Sequence, residues 1–426
     1  MICPTPDLPL EQAQAIAQTL DLRALPRAFY DNPYPVYDAL RRDTPVRRMP
    51  DGSWLLTRYD DVVAVYRNAQ VFSADKKVEF GAKYGVGSPL FMHHTTSLVF
   101  NDPPLHTRVR QLIMGALTRR AIADMTPGLT QWVDHLLDRL EARGQGDLIE
   151  DFASAIPIEI IGNLLGVPPD ERGPLRQWSL SILGALEPTL SPEQQARANQ
   201  DVLDFVDYLK GLVARRRQHP GDEERDVLTR LIQGEVQGER LSEMELYQNC
   251  IFLLNAGHET TTNLIGNALV CLHEWPEERQ ALMQGLQDTA QDSAAQEQLL
   301  ALAVDEFLRF ESSNQLGNRR ALQDCEVGGV ALPAGALVTL GIGAANRDPA
   351  QFAQADRLNL RREPNRHLAF GLGIHQCAGL SLARLEGRIA IGRFLQRFPG
   401  YALSASPVRG GRARFRGFLS APVRVG

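Results

Sequence analysis

The sequence predicts a mainly α protein with a smaller β-rich region, on three observations. Apolar residues return at three- and four-residue steps from about Pro104 to Phe205, the spacing that lines one face of successive helices. An unbroken helical pattern runs from Ser242 to Trp275. Short apolar runs around Gly328-Gly329 and Pro333-Ala334-Gly335 read as small hairpins.

Taken in chain order, Asn32-Pro33-Tyr34-Pro35 leads into a short amphipathic helix over Val36 to Arg41, and Ser53 to Thr57 reads as a strand. The helices between Pro104 and Phe205 are separated by turn clusters, Gly144-Gln145-Gly146 and Pro168-Pro169-Asp170. Arg215 to Arg225, charge-rich around Pro220-Gly221, is expected to be a solvated loop between helices. Ser242 with Glu245 three residues later makes a capping box. The helix that follows ends just before Pro276 and spans about 50 Å at 1.5 Å per residue. Its middle, Ile251 to Ala256, is almost wholly apolar, so it should run through the core. Ala301 to Phe310 reads as another helix, and a last one over Leu380 to Arg397 is closed by Phe398-Pro399-Gly400.

The 426 residues are 44% hydrophobic and 23% charged, enough to bury a large core. A net charge of -6 argues against nucleic acid as a partner. The five cysteines, at positions 3, 250, 271, 325 and 377, include no CxxC pair, which excludes a disulfide framework and a zinc site. Asp7, Glu11 and Asp21 interrupt any leader-type apolar stretch, and no run reaches the roughly 18 apolar residues of a membrane span. A cytoplasmic protein with reduced thiols and no membrane partner is expected.

Phe370-Gly371-Leu372-Gly373-Ile374-His375-Gln376-Cys377-Ala378-Gly379 carries the most information. Its glycines let the backbone turn tightly and approach a bulky planar group. A cysteine just ahead of a helix N-terminus is favoured as thiolate, a soft anionic metal ligand. The stretch resembles the haem-binding loop of the cytochrome P450 family, FGxGxHxCxG, matched at Phe370, Gly371, Gly373, His375, Cys377 and Gly379.

That resemblance implies the cytochrome P450 fold, with haem b buried between the long central helix and the helix after the cysteine loop. It implies Cys377 as the axial ligand of the haem iron and Phe370, Gly371, Gly379 and Ala256 as neighbours of the cofactor. Ala256-Gly257-His258-Glu259-Thr260-Thr261 resembles the family's oxygen-binding groove, where Thr260 and Glu259 would relay protons. His258, outside that pattern, is read as structural or exposed. Glu306 and Arg309, one turn apart on a helix, look like the ExxR pair, with Arg357 as third member. His106, Arg110, Arg319 and His367 fit positions that would hold the haem propionates.

The resemblance spans Asn32 to the C-terminus, so residues 1–426 are expected to act as one catalytic domain. The implied activity inserts one atom of O₂ into a small, largely apolar substrate. Electrons would come from a ferredoxin with its reductase, or a flavodoxin, since no nucleotide-binding or iron–sulfur motif is present. Arg108, Arg110 and Arg384 are the cations expected to meet such a partner. The rival readings are a peroxide-driven peroxygenase, which would lack the acid and alcohol pair, and a non-catalytic haem-thiolate gas sensor, which would carry a regulatory module. Phe91, Leu98, Ile251, Asn255, Leu316 and Phe418 are the expected substrate-pocket residues.

Overall fold

Ser242 starts the helix around which the molecule is built. In this computed structural model, which describes residues 5–222, 226–235, 238 and 240–426, the Ser242 hydroxyl accepts the Glu245 N–H at 3.3 Å. The Glu245 carboxylate in return accepts the Ser242 N–H at 2.8 Å, so two orphan donors are satisfied at once. The helix Glu243–Glu274 follows for 32 residues, or about 48 Å. From Leu246 to Leu272 it is buried on most of its circumference, as expected of a helix crossing a core. Packed around it are the helices Pro89–Thr96, Ala155–Leu165, Leu175–Gly184, Pro192–Gln218, Ser293–Phe310 and Leu380–Arg397.

The β region lies to one side. Its largest sheet has the strand order Val46–Arg48, Trp54–Leu56, Leu337–Gly341, Leu316–Ala321, Phe72–Ser73. Only the Trp54–Leu56 pairing with Leu337–Gly341 is parallel. Cys325–Val327 and Val330–Leu332 form the hairpin anticipated at Gly328-Gly329, both glycines taking positive φ. The strand Leu316–Ala321, in register with Leu337–Gly341 from Leu316↔Gly341 to Arg320↔Leu337, places Gly317, Asn318 and Arg319 against the internal cavity described below.

Sequence and structure differ at some boundaries. The helix predicted from Ala301 begins at Ser293, where Asp292 accepts the N–H groups of Ala294 and Ala295 at 3.1 and 3.0 Å; its first turns are polar, so apolar periodicity does not reach them. The predicted loop from Arg215 is helical through Gln218; Arg215 pairs with Glu171 at 2.7 Å and Arg217 with Glu243. Residues 223–225 of that loop, and Cys3, lie outside the described residues. Cys250, Cys271, Cys325 and Cys377 are free. Among the described residues no helix is long and apolar enough to cross a membrane.

Candidate active site

The cysteine loop is folded by its own hydrogen bonds. Leu368 N–H donates to the Asn346 side chain at 2.7 Å, Gly371 N–H to Leu368 O at 2.8 Å, and Cys377 N–H to Phe370 O at 2.9 Å. Gly371 and Gly373 have φ of 63° and 74°. A Cβ at Gly373 would stand 2.4 Å from the Tyr66 carbonyl oxygen, so glycine is required there by sterics as well as conformation. The loop delivers Cys377 to the approach of the helix Leu380–Arg397. Burial pushes its thiol up, while the Gly379 N–H and the charges of Arg110 and Arg384 act in the opposite direction. The groups that favour a thiolate are thus in place beside Cys377.

Cys377 faces a cavity of about 330 Å³ that separates it from the long helix. Ala256, Gly257 and Thr260 line the far wall. The Thr260 hydroxyl donates to the Ala256 carbonyl at 2.8 Å, the back-bond that bends helices.

The chemistry of the lining fits a haem. A Cβ on Gly379 would meet nothing within 4 Å, so bare backbone borders the cavity beside the cysteine. Both ring nitrogens of His106 and Nε2 of His375 are buried without a hydrogen-bond partner, which is costly unless a ligand supplies acceptors. The two rings lie 4.1 Å apart, and Arg110 and Arg319 line the same cavity. These four side chains are suited to two carboxylates.

His367 is not part of that group. Its Nε2 lies 3.4 Å from Asp305 Oδ1, its Nδ1 accepts the Ala369 N–H at 3.3 Å, and it does not line the cavity. His375 takes the place expected of it, because the 3-10 turn Gly373–His375 swings that ring inward. The signal was available, since His375 is a matched position of the loop motif.

Glu306 and Arg309 form a fully buried bidentate pair at 2.7 and 2.8 Å. Arg357 contributes only its backbone carbonyl, to Arg309 at 3.0 Å, while its exposed side chain lies over Trp275. The third charged member is Arg362, whose Nε reaches Glu306 Oε2 at 3.1 Å. Nothing local in the sequence separates Arg362 from Arg357, as the meander between them has no regular period.

Glu259 points away from the cavity that Thr260 lines. It lines a small second cavity and pairs with Arg412, a partner invisible to sequence reasoning because it lies 153 residues on. Burial pushes its carboxyl up to about 7 against the opposing pull of Arg412. His258 is buried with Nδ1 3.1 Å from the Ser179 hydroxyl, a structural placement.

Of the expected substrate-pocket residues, Leu98 and Asn255 line the main cavity. Phe91, Ile251 and Leu316 do not, and Ile251 and Leu316 are core residues. Phe418 lines the small cavity beside Glu259. The apolar wall is built instead by Ile161, Leu164, Leu183, Leu186, Phe252 and Leu253, brought together from three separate helices and the turn that follows one of them. The cations expected to greet a redox partner are engaged within the chain: Arg108 with Glu245, Arg384 with Asp305 at 2.7 Å, and Arg110 at the cavity.

A family model described as "Cytochrome P450" matches residues 179–405. Cytochrome P450 107B1 of Saccharopolyspora erythraea is 38% identical over 95% of this chain and 98% of its own. The vitamin D(3) 25-hydroxylase of Pseudonocardia autotrophica is 38% identical over 88% and 89%. Among solved structures, P450BioI in complex with an acyl carrier protein ligated to hexadec-9Z-enoic acid superposes with a TM-score of 0.85 at 34% identity, covering 93% of this chain and 99% of that one.

A partly buried cysteine facing an alcohol-bearing helix across a cavity lined for a carboxylate-bearing macrocycle defines a haem-thiolate protein. This chain belongs to the cytochrome P450 family. It is accordingly a monooxygenase that uses haem b and O₂, acts on a small organic substrate, and takes its electrons from separate redox proteins such as a ferredoxin with its reductase.

Proposed function

We propose that Cys377 would hold the haem iron as a thiolate and that Thr260 is the proton-positioning alcohol of this monooxygenase. The observation that carries the reading is that both face one cavity of about 330 Å³ from opposite walls. When bound, the haem supplies O₂ activation, favoured by thiolate ligation. His106, Arg110, His375 and Arg319 would hold its carboxylates. The Thr260 hydroxyl, resting on the Ala256 carbonyl, can rotate to donate into the cavity and take a proton in turn from the direction of Glu259. Glu259, titrating near neutrality, is suited to pass protons from the small cavity behind the helix. Glu306, Arg309 and Arg362 keep the segment under the cysteine loop in place and do no chemistry.

The whole chain acts as one catalytic unit in this reading, because residues from His106 to Arg414 border a single cavity. A cytoplasmic location is supported by the four free cysteines.

The test is spectroscopic. Haem-loaded protein, reduced under carbon monoxide, should show the red-shifted Soret band of thiolate ligation. Cys377→His should replace it with a globin-like band and lose oxygenation. A Cys377→His protein that keeps both would overturn the assignment.

A further inference from the structure

One cation at the cavity is left over by the haem. Four donors already serve the two haem carboxylates, but Arg414 comes from the C-terminal segment and borders the same space. Its position is fixed by backbone pairing: Gln315 N–H donates to Arg414 O at 2.8 Å, and Asn314 bridges Phe415. The adjacent Ser313 hydroxyl bonds to the Thr260 carbonyl at 2.9 Å. Arg414 is therefore anchored beside the middle of the long helix, where a substrate must lie to react.

The guanidinium is poorly neutralised. Nη1 donates to Leu316 O at 2.9 Å and Nη2 to the Asn318 side chain, both uncharged acceptors, and Nε has no partner. Two of its five N–H groups are thus used. Glu187, the acid whose charge bears on Arg414, spends its oxygens on the N–H groups of Ala413, Arg414 and Phe415 at 2.8 to 3.3 Å. It forms no ion pair with Arg414 among the described residues. Arg414 is partly buried and lines the cavity. A second cation stands close by. Lys83, donating to Ala185 O at 2.8 Å and to Glu187 O, is pushed down to about 8 by burial first and the Arg414 charge second. A buried cation held only by uncharged acceptors, with Glu187 acting on it through space and not as an ion-pair partner, is incompletely compensated, and a ligand anion would remove that cost.

We infer that the substrate is an apolar carboxylic acid whose carboxylate docks on Arg414 while its hydrocarbon body lies against Ile161, Leu164, Leu183 and Phe252. Such a ligand would make a charge-assisted pair in a dry site, with the apolar wall reserved for the carbon to be oxidised. The inference rests on the monooxygenase reading, which the carbon monoxide spectrum tests separately.

The experiment uses ferric holoenzyme and three matched pairs: dodecanoic acid, 2-naphthylacetic acid and lithocholic acid, each against its methyl ester. Binding is followed by Soret shift and by calorimetry at neutral pH. In at least one pair the acid should bind about tenfold or more tighter than the ester. Arg414→Met should lower the affinity for that acid by about 10- to 100-fold and leave the ester within about threefold, with Arg414→Lys in between. Esters binding as well as acids in all three pairs with the unmutated protein would overturn the inference. So would an acid preference that survives in Arg414→Met. A fall in haem per chain in both Arg414 variants would assign the residue to the cofactor and overturn it as well.

Discussion

The Glu306 carboxylate and the Arg309 guanidinium meet through two hydrogen bonds of 2.7 and 2.8 Å with no solvent-exposed surface on either side chain. The remaining acceptor capacity of Glu306 is filled by the Asn359 N–H at 2.9 Å, the Asn365 side chain at 3.1 Å and Arg362. Arg309 also donates to the carbonyls of Asn346, Ala355 and Arg357 at 2.8 to 3.0 Å. The pair is a clamp on the irregular segment that precedes the cysteine loop.

Breaking that clamp leaves a buried charge without its partner. Glu306→Gln should cost about 3–5 kcal/mol of folding stability, and Arg362→Ala should also be strongly destabilising. Arg357→Ala removes only an exposed side chain stacked near Trp275 and should stay within about 1 kcal/mol of the parent protein. Urea unfolding of the three variants checks the order. An Arg357 variant as unstable as the Arg362 variant would contradict the assignment.

Glu259 should make stability depend on pH. Its folded carboxyl lies near 7, above the ordinary 4.5, chiefly because of burial. The folded state therefore prefers the neutral form: this contribution is complete below about pH 4.5 and is lost as pH rises through 7. Relative to Glu259→Gln, the parent protein should lose on the order of 3 kcal/mol between pH 4.5 and 8. Parallel stability curves for the two proteins across that window would mean that Glu259 titrates at an ordinary value.

Thr260→Ala removes the hydroxyl that rests on Ala256 O and lines the cavity, but little packing. Haem content and fold should be unchanged, while product formed per reductant consumed should fall by about tenfold or more, the balance appearing as peroxide. Thr260→Ser should recover much of the coupling. An alanine variant as well coupled as the parent would remove Thr260 from the relay.

His375 and His367 should part company on haem retention. His375→Ala deletes a cavity-lining donor and should weaken haem binding by about 10- to 100-fold. His367→Ala breaks the 3.4 Å contact with Asp305 and the 3.3 Å bond from the Ala369 N–H, neither at the cavity, and should leave haem affinity near that of the parent. Transfer of haem to apomyoglobin gives both rates, and the reverse ranking would restore His367 to the propionate group.

How much was legible from sequence alone varied with the kind of signal. Short-range patterns read well: the Ser242–Glu245 capping box, the helix it begins and the Leu380–Arg397 helix were all stated from periodicity and end signals. The cysteine loop was readable for a related reason, since its glycines and Cys377 act within ten consecutive residues and chain geometry fixes their mutual placement. Arg357 and His367, by contrast, lie in segments without a period, where a shift of a few residues changes which side chain points inward. Phe91, Ile251 and Leu316 failed as pocket residues because apolar character marks a residue for burial without saying whether it faces a cavity or its neighbours.

The sequence by itself determined the mainly α architecture, the glycine-bordered cysteine loop and the long helix carrying an acid and an alcohol at its centre, because each is encoded by residues a few positions apart. Only the tertiary structure decided that Arg362 completes the Glu306 cluster, that His375 joins His106, that Glu259 turns to Arg412, and that Arg414 enters the cavity. Those partners lie from tens to hundreds of residues away along the chain. Their pairing is set by how helices and strands pack around a shared core, and local pattern carries no record of it.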